Sequence, residues 1–245
     1  TITGVIEAKG RVLCDLEAPD FQQIIVDDIS QTCTGHLHKG LLYAHGADEG
    51  GDPAAPEFGA HDAMWFAARD LLFGADAYPL PEVPESISRP DTGRLMPQLP
   101  AGFEQLILML MNVLMIEVRA ESFFSFCCEI MRDKDAFAAR REQAEEAASM
   151  VERIRIDEAI HVGYLQTTVS EMRSFTFKTV DGGTISGKDL IDPIWEGMVH
   201  WHAVTQADFS KEQTRDTIRA QLEAMPNGGK LFAEFDAMDD VAKAA

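Results

Sequence analysis

The segment IDEAIHVGYL, residues 156–165, places Glu158 and His161 three positions apart. On a helix that spacing is about 60° of rotation, so the two side chains share nearly one face. A carboxylate and an imidazole on one face are a donor pair that borderline divalent ions accept. The alternative is a solvated surface pair, the commoner fate of an isolated E-x-x-H, so the surroundings decide. Glu117 and Glu121 lie one helical turn apart between two apolar runs, LILMLMNVLMI (106–116) and SFFSFCC (122–128). A buried carboxylate there needs a partner, because an unpaired one costs several kcal/mol. The partner is either a cation such as Arg119 or a metal ion. Glu129 is a third carboxylate on this segment, near its end, where exposure is expected.

The first half of the chain holds a fainter echo. Aligning His61 with His161 brings HDAMWFAARDLLFG over HVGYLQTTVSEMRSF, and Glu57 then falls near the position of Glu158, one residue further from its histidine. His38 is the expected donor from a preceding helix, with His36 and Lys39 beside it and Asp27 and Asp28 as substitutes. His36, His38 and His45 also have a plainer reading as polar residues around a helix end. Near the C-terminus, Glu196 and His200 in IWEGMVHWHAV are one turn apart and are candidates for a pocket wall or for contacts behind the ligands; Trp195 and Trp201 add bulk there. Met109, Met111 and Met115 follow no cofactor pattern and read as core filling.

Several elements must position these groups. Residues 1–17 alternate weakly and predict a short strand or an extended arm. The spacing from Asp20 to about His45 predicts a first helix, closed by the turn-rich HGADEGGDPAAP, and 55–73 a second, with Pro and Glu in its first turn and Gly74 at its end. Residues 74–100 hold six of the eleven prolines without periodicity. A connection this long in a compact domain is explained if it travels the length of a bundle and joins two parallel helices. Residues 101–132 and about 136–173 predict two long helices, broken near RDKD (132–135). FTFKTVDGGTISG (175–187) reads as a β-hairpin about Asp181-Gly182-Gly183, followed by a helix at 189–209, a shorter amphipathic helix at about 211–224 and a polar tail.

Two helices, a long crossover and two more helices is the connectivity of a four-helix bundle with one crossover. With DEAIH and Glu121 before it, the layout resembles the ferritin-like superfamily of di-iron carboxylate proteins over about 20–173, within a single domain of 1–245 whose hairpin and C-terminal helices occupy about 174–245. The expected fold class is therefore all-α. The resemblance implies one metal half-site from Glu121, Glu158 and His161, with Glu117 one turn away, and a second from Glu57, His61 and His38. This chain departs from the family in offering His38 where a glutamate is usual, and E-x-x-x-H in place of the first E-x-x-H. The implied cofactor is iron, with two ions favoured and one ion or manganese as alternatives. The implied activity is oxidation of a small organic substrate by O2. Competing readings are a metal-free bundle that binds a small molecule or partner protein, an iron store, and an HD-type metal enzyme built on His61-Asp62, whose FGAHDAMW setting differs from the usual apolar one.

Composition narrows the partners. A formal charge of −20 without a Lys/Arg cluster argues against nucleic acid. The longest apolar run, 106–116, is closed by Glu117 and Arg119 and reads as a core helix rather than a bilayer span. Cys14, Cys33, Cys127 and Cys128 form no disulfide framework, which points to a reducing cytoplasm; the first residue is Thr1, which leaves room for a segment ahead of it. No other catalytic signature appears: no G-x-S-x-G, P-loop, G-x-G-x-x-G or paired C-x-x-C. A homodimer through an exposed helix face would be an ordinary assembly.

Overall fold

A computed structural model describes residues 2–52, 55, 59–75, 77–78, 93–205, 215–216, 219–220, 222, 225 and 227–244. These residues are mostly helical, with eight α-helices and one two-stranded antiparallel sheet. They fall into two compact units, Thr1–Trp195 and Glu196–Ala245.

The first unit is a helical bundle centred on α5 (Ala101–Arg132) and α6 (Arg141–Ser174). Both long helices stand where the apolar spacing predicts them. They run antiparallel, with Arg132 meeting Glu145 near the connecting turn and Arg155 meeting Glu121 further along. α5 ends where Asp133 leaves the helical conformation and its carboxylate accepts from the Asp135 and Ala136 N–H groups. By length and composition α5 also satisfies the requirements of a membrane-crossing helix. Its buried stripe includes Ile107, Leu110, Leu114, Glu117 and Phe124, spaced by three or four residues apart from the last step. α6 buries Val151, Ile154, Glu158, His161, Leu165, Thr168 and Met172 at the same interval. Glu117, Glu158 and His161 thus occupy positions on the stripes that face the core.

α4 (His61–Phe73) lies against α6, and Trp65, Ala68 and Leu72 join Phe124, Cys128, Met131, Ala147, Val151 and Ile154 in one core. Met111 is fully buried, as core filling requires, while Met109 and Met115 are half-buried. At the opposite end, β1 (Thr176–Lys178) pairs with β2 (Thr184–Ser186) in the register Thr176↔Ser186, around a turn with Gly182 at φ +87°. The hairpin borrows a short third edge, since Val26 N–H donates to the Thr176 carbonyl and Lys178 N–H to that of Ile24.

Several expectations need correction. The N-terminal residues form α1 (Ile2–Gly10) and a 3-10 turn (Arg11–Asp15) rather than a strand; Ile2, Val5 and Ile6 have helical spacing that outweighs the weak alternation. The expected first helix from Asp20 to His45 is a sequence of turns: 3-10 at Phe21–Gln23, α2 (Cys33–His36), 3-10 at Leu37–Lys39 and then α3 (Leu41–Gly50). Local side-chain hydrogen bonds compete with the helix there, because Asp20, Asp28 and Thr32 each accept from a backbone N–H two or three residues on. Gly40, at φ +125°, completes the break before α3. α3 takes in Asp48, Glu49 and Gly50 of the turn-rich HGADEGGDPAAP and closes at Gly51, at φ +86°; among the described residues the next helix begins at His61. Residues 76 and 79–92 of the expected crossover, and most of 211–224, lie outside the described residues.

α7 (Gly187–His200) follows the hairpin, containing Pro193 and continuing into one π-helical turn, Trp201–Thr205. In the second unit a helix at Gly228–Ala244 replaces the expected polar tail, with Arg215 paired to Asp236 at 2.7 Å and Arg219 over the Phe232 ring.

Candidate metal centre

Five helices of the first unit each turn one or two ionisable residues inward. α1 contributes Glu7, α3 His45 and Glu49, α4 His61, α5 Glu117, and α6 Glu158 and His161, and all seven are buried. On α3 the buried positions Leu42, His45, Gly46 and Glu49 make a single helical stripe, and on α4 His61, Trp65, Ala68 and Leu72 do the same. Apolar residues at these positions would extend the core; donors at them make a polar centre inside it.

The seven groups form two overlapping sets. His45, Glu49, Glu117 and His161 are one, and Glu7, Glu49, His61 and Glu158 the other; within each set the donor atoms lie within 4.8 Å of one another. Glu49 Oε1 is the hub, 3.3 Å from His61 Nδ1, 3.4 Å from His161 Nδ1 and 3.7 Å from His45 Nε2. Glu158 spans both sets, with Oε1 3.2 Å from His61 Nδ1 and Oε2 3.5 Å from His161 Nδ1. Glu117 closes one side at 3.2 Å from His45 Nε2, and Glu7 the other at 3.5 Å from His61 Nδ1.

These separations fit donors around an ion. Two atoms each about 2.1 Å from a divalent ion and about 90–110° apart lie about 3.0–3.4 Å from one another. Despite their closeness, His45 Nε2, Glu49 Oε1, His61 Nδ1, both Glu158 oxygens and His161 Nδ1 make no hydrogen bond of normal geometry among the described residues. Buried polar atoms are ordinarily paired, and donors that converge without hydrogen bonds of normal geometry leave an ion as a candidate for their common partner. The buried His/Glu groups can hold a metal ion.

Each imidazole also has an outward contact. His45 Nδ1 is 2.7 Å from the Tyr164 hydroxyl, His161 Nε2 is 3.3 Å from Asp48, and His61 Nε2 is 3.6 Å from Asp157. Hydrogen-bonding partners such as Tyr164 and Asp48 fix which ring nitrogen carries the proton and leave the other free to ligate, whereas Asp157 stands beyond hydrogen-bond distance of His61. The His45 and His161 rings stack with centroids 3.8 Å apart, holding both orientations.

The electrostatics record the crowding. Burial raises the carboxyls of Glu7 and Glu117 well above the usual range. For Glu49 and Glu158 burial acts upward too, but the facing imidazoles outweigh it and hold both below that range. His161 is pushed up to about 11: burial opposes the shift, and Asp48, Glu158 and Glu49 overcome it. His61 rises in the same way against burial, through Glu158, Glu49 and Glu7. His45 goes down to about 4 because burial and the neighbouring His161 disfavour its cation. Burial raises the Tyr164 phenol, which stays neutral.

Close backbone approach positions α1 and the 3-10 turn after it. A Cβ on Gly46 of α3 would sit 2.7 Å from Cys14 N, and one on Gly10 would sit 2.6 Å from Glu49 Cγ. The N-terminal segment therefore lies directly on α3, which brings Glu7 beside Glu49.

Of the residues singled out from sequence, His61, Glu117, Glu158 and His161 come together here. Glu121 is partly exposed and bonds Arg155 at 2.9 Å. His38 is exposed on its 3-10 turn, as is His36 on α2, and Glu57 lies outside the described residues. Asp27 accepts from Thr176 N–H and Asp28 from Ser30 N–H, and Glu129 is exposed. Glu196 and His200 belong to the second unit, where both are exposed while His202 is buried. Sequence reasoning missed Glu7 and Glu49 and took His45 for an ordinary polar residue. The available signal was the one-turn spacing of His45 and Glu49, hidden by reading DEGG as a turn. Glu7 carries no comparable pattern.

No protein-family model, curated protein or solved structure matches this chain.

Proposed function

We propose that this chain is a ferritin-like dimetal protein, with iron the favoured metal, that oxidises a small organic substrate with O2. The observation that carries the reading is the donor set: four carboxylates and three imidazoles, all buried, in two groups that share Glu49. Four carboxylate charges match two divalent cations. Iron in a site of mixed oxygen and nitrogen donors supplies the redox chemistry and O2 reactivity that amino-acid side chains lack.

The chain's own residues supply binding, orientation and a dry setting. Glu49 and Glu158 each face both donor groups, so they tie the two positions together. Tyr164 and Asp48 orient the His45 and His161 imidazoles from behind. Trp65, Leu114, Ile154 and Leu165 are buried on the stripes that carry the ligands and exclude water from them. The Asp48 side chain is 54% exposed, so it links the buried His161 imidazole to the surface and gives protons a way in and out.

The test is elemental analysis of the protein as isolated and after anaerobic Fe(II) loading, in wild type, Glu158→Ala and Glu121→Ala, followed by O2 consumption. About two ions per chain are expected in wild type and Glu121→Ala, with loss in a still-helical Glu158→Ala. Absence of metal in loaded wild type refutes the reading and leaves a metal-free bundle. Bound iron without O2 consumption, with or without candidate substrates, refutes the oxidase part.

A further inference from the structure

The donors are divided unequally between the two groups. His45, Glu49, Glu117 and His161 present two nitrogens and two carboxylates, whereas Glu7, Glu49, His61 and Glu158 present one nitrogen and three carboxylates. Glu158 leans on both sides, with one oxygen toward His61 and the other toward His161. Counting it twice leaves the contrast in place, since His45 and His161 stand together and His61 is the lone imidazole on its side.

Nitrogen content matters for metal choice. Affinity at oxygen and nitrogen sites rises from manganese(II) to iron(II); imidazole suits iron, and carboxylate and water suit manganese. A position with two imidazoles therefore separates the two metals more than a position with one. We propose that the two positions select different metals: iron(II) at His45, Glu49, Glu117 and His161, and manganese(II) at Glu7, Glu49, His61 and Glu158, so that the chain holds a mixed pair when both metals are offered. The inference rests on the dimetal reading above and adds metal selectivity to it.

Two structural features separate the positions. The nitrogen-rich side is preset, because the His45 and His161 rings are stacked 19° from parallel and Tyr164 contacts the outer nitrogen of His45 at 2.7 Å. Fixed donor geometry is one of the means by which a site discriminates between similar ions. The oxygen-rich side is completed by Glu7 from α1, which α5 and α6 do not supply. Glu7 and His45 each belong to one group only, so substitution at either one tests the positions separately.

The experiment uses the full chain, stripped of metal and loaded anaerobically with one equivalent of Fe(II) and an excess of Mn(II). Elemental analysis counts the bound ions, and anomalous diffraction at the iron and manganese edges locates them. One iron beside His45 and one manganese beside Glu7 are expected. Glu7→Gln should lower bound manganese about tenfold or more at a concentration that fills wild type, while keeping iron; His45→Asn should do the reverse. Circular dichroism establishes that each variant folds, and if either does not, the anomalous maps of wild type decide alone. The same iron-to-manganese ratio at both positions, or manganese at both, overturns the proposal and leaves the dimetal reading standing. Binding of neither ion overturns both.

Discussion

Loading the centre with metal should expel protons, and the buried groups set how many. In the metal-free protein burial raises Glu7 and Glu117 well above the usual carboxylate range, which favours their protonated forms, while His61 and His161 are raised against burial by the facing carboxylates, which favours theirs. His45 is neutral and Glu49 and Glu158 are ionised. Two carboxylates and two imidazolium ions then cancel. Ligation requires ionised carboxylates and neutral imidazoles. Four negative charges would then face two divalent ions, so neutrality is kept by exchanging about four protons for two metals. Since the metal-free state holds the extra protons, binding weakens as pH falls: each unit lost should lower the overall constant for both ions by about four decades. The dependence flattens on the alkaline side as the raised groups lose their protons unaided, His161 at about 11. Anaerobic titration calorimetry with Mn(II), in buffers of different ionisation enthalpy at one pH, reads the proton count directly. Release near zero would refute the reasoning, because it would mean that the cluster already holds four bare carboxylates and neutral imidazoles before metal arrives.

Tyr164→Phe removes the hydroxyl 2.7 Å from His45 Nδ1 and should weaken metal binding about 10–100-fold without changing helicity, measured by competition with a chromophoric chelator. Gly46→Ala drives a Cβ to 2.7 Å from Cys14 N, so the N-terminal segment must shift; a loss of about 1–3 kcal/mol in urea unfolding is expected, with weaker metal binding at the Glu7 position. Glu104 accepts from Leu95 N–H at 2.6 Å, Met96 N–H at 3.0 Å and the Arg94 guanidinium, so Glu104→Gln should cost about 2 kcal/mol at neutral pH. Burial pushes the Glu104 carboxyl up, but the Met96 N–H and Arg94 outweigh it and hold it below the usual range. Its contribution is therefore complete above the unfolded carboxyl value and disappears as pH falls through the folded one. The wild-type advantage over Glu104→Gln should shrink on acidification, and an advantage that is constant or grows would refute this account.

The residues themselves determined the two long helices and half of their chemistry. α5 and α6 carry uninterrupted stripes of buried residues at three- and four-residue intervals, and such periodicity needs no tertiary information. Glu117, Glu158 and His161 were legible because a charged residue on an apolar stripe conflicts with its surroundings and calls for a partner. The hairpin was legible from Asp181-Gly182-Gly183, whose turn chemistry is local. Elsewhere local signals misled. The turn-forming DEGG lies at the end of α3, where packing against the N-terminal segment keeps Glu49 helical. Tertiary structure alone decided that Glu7, some forty residues from Glu49, would share its site, and that Glu121 would turn to Arg155 rather than inward. Spacing along a helix fixes which residues share a face. Which faces meet is decided by the packing of separate helices, where one missing Cβ at Gly46 lets the segment carrying Glu7 approach the site.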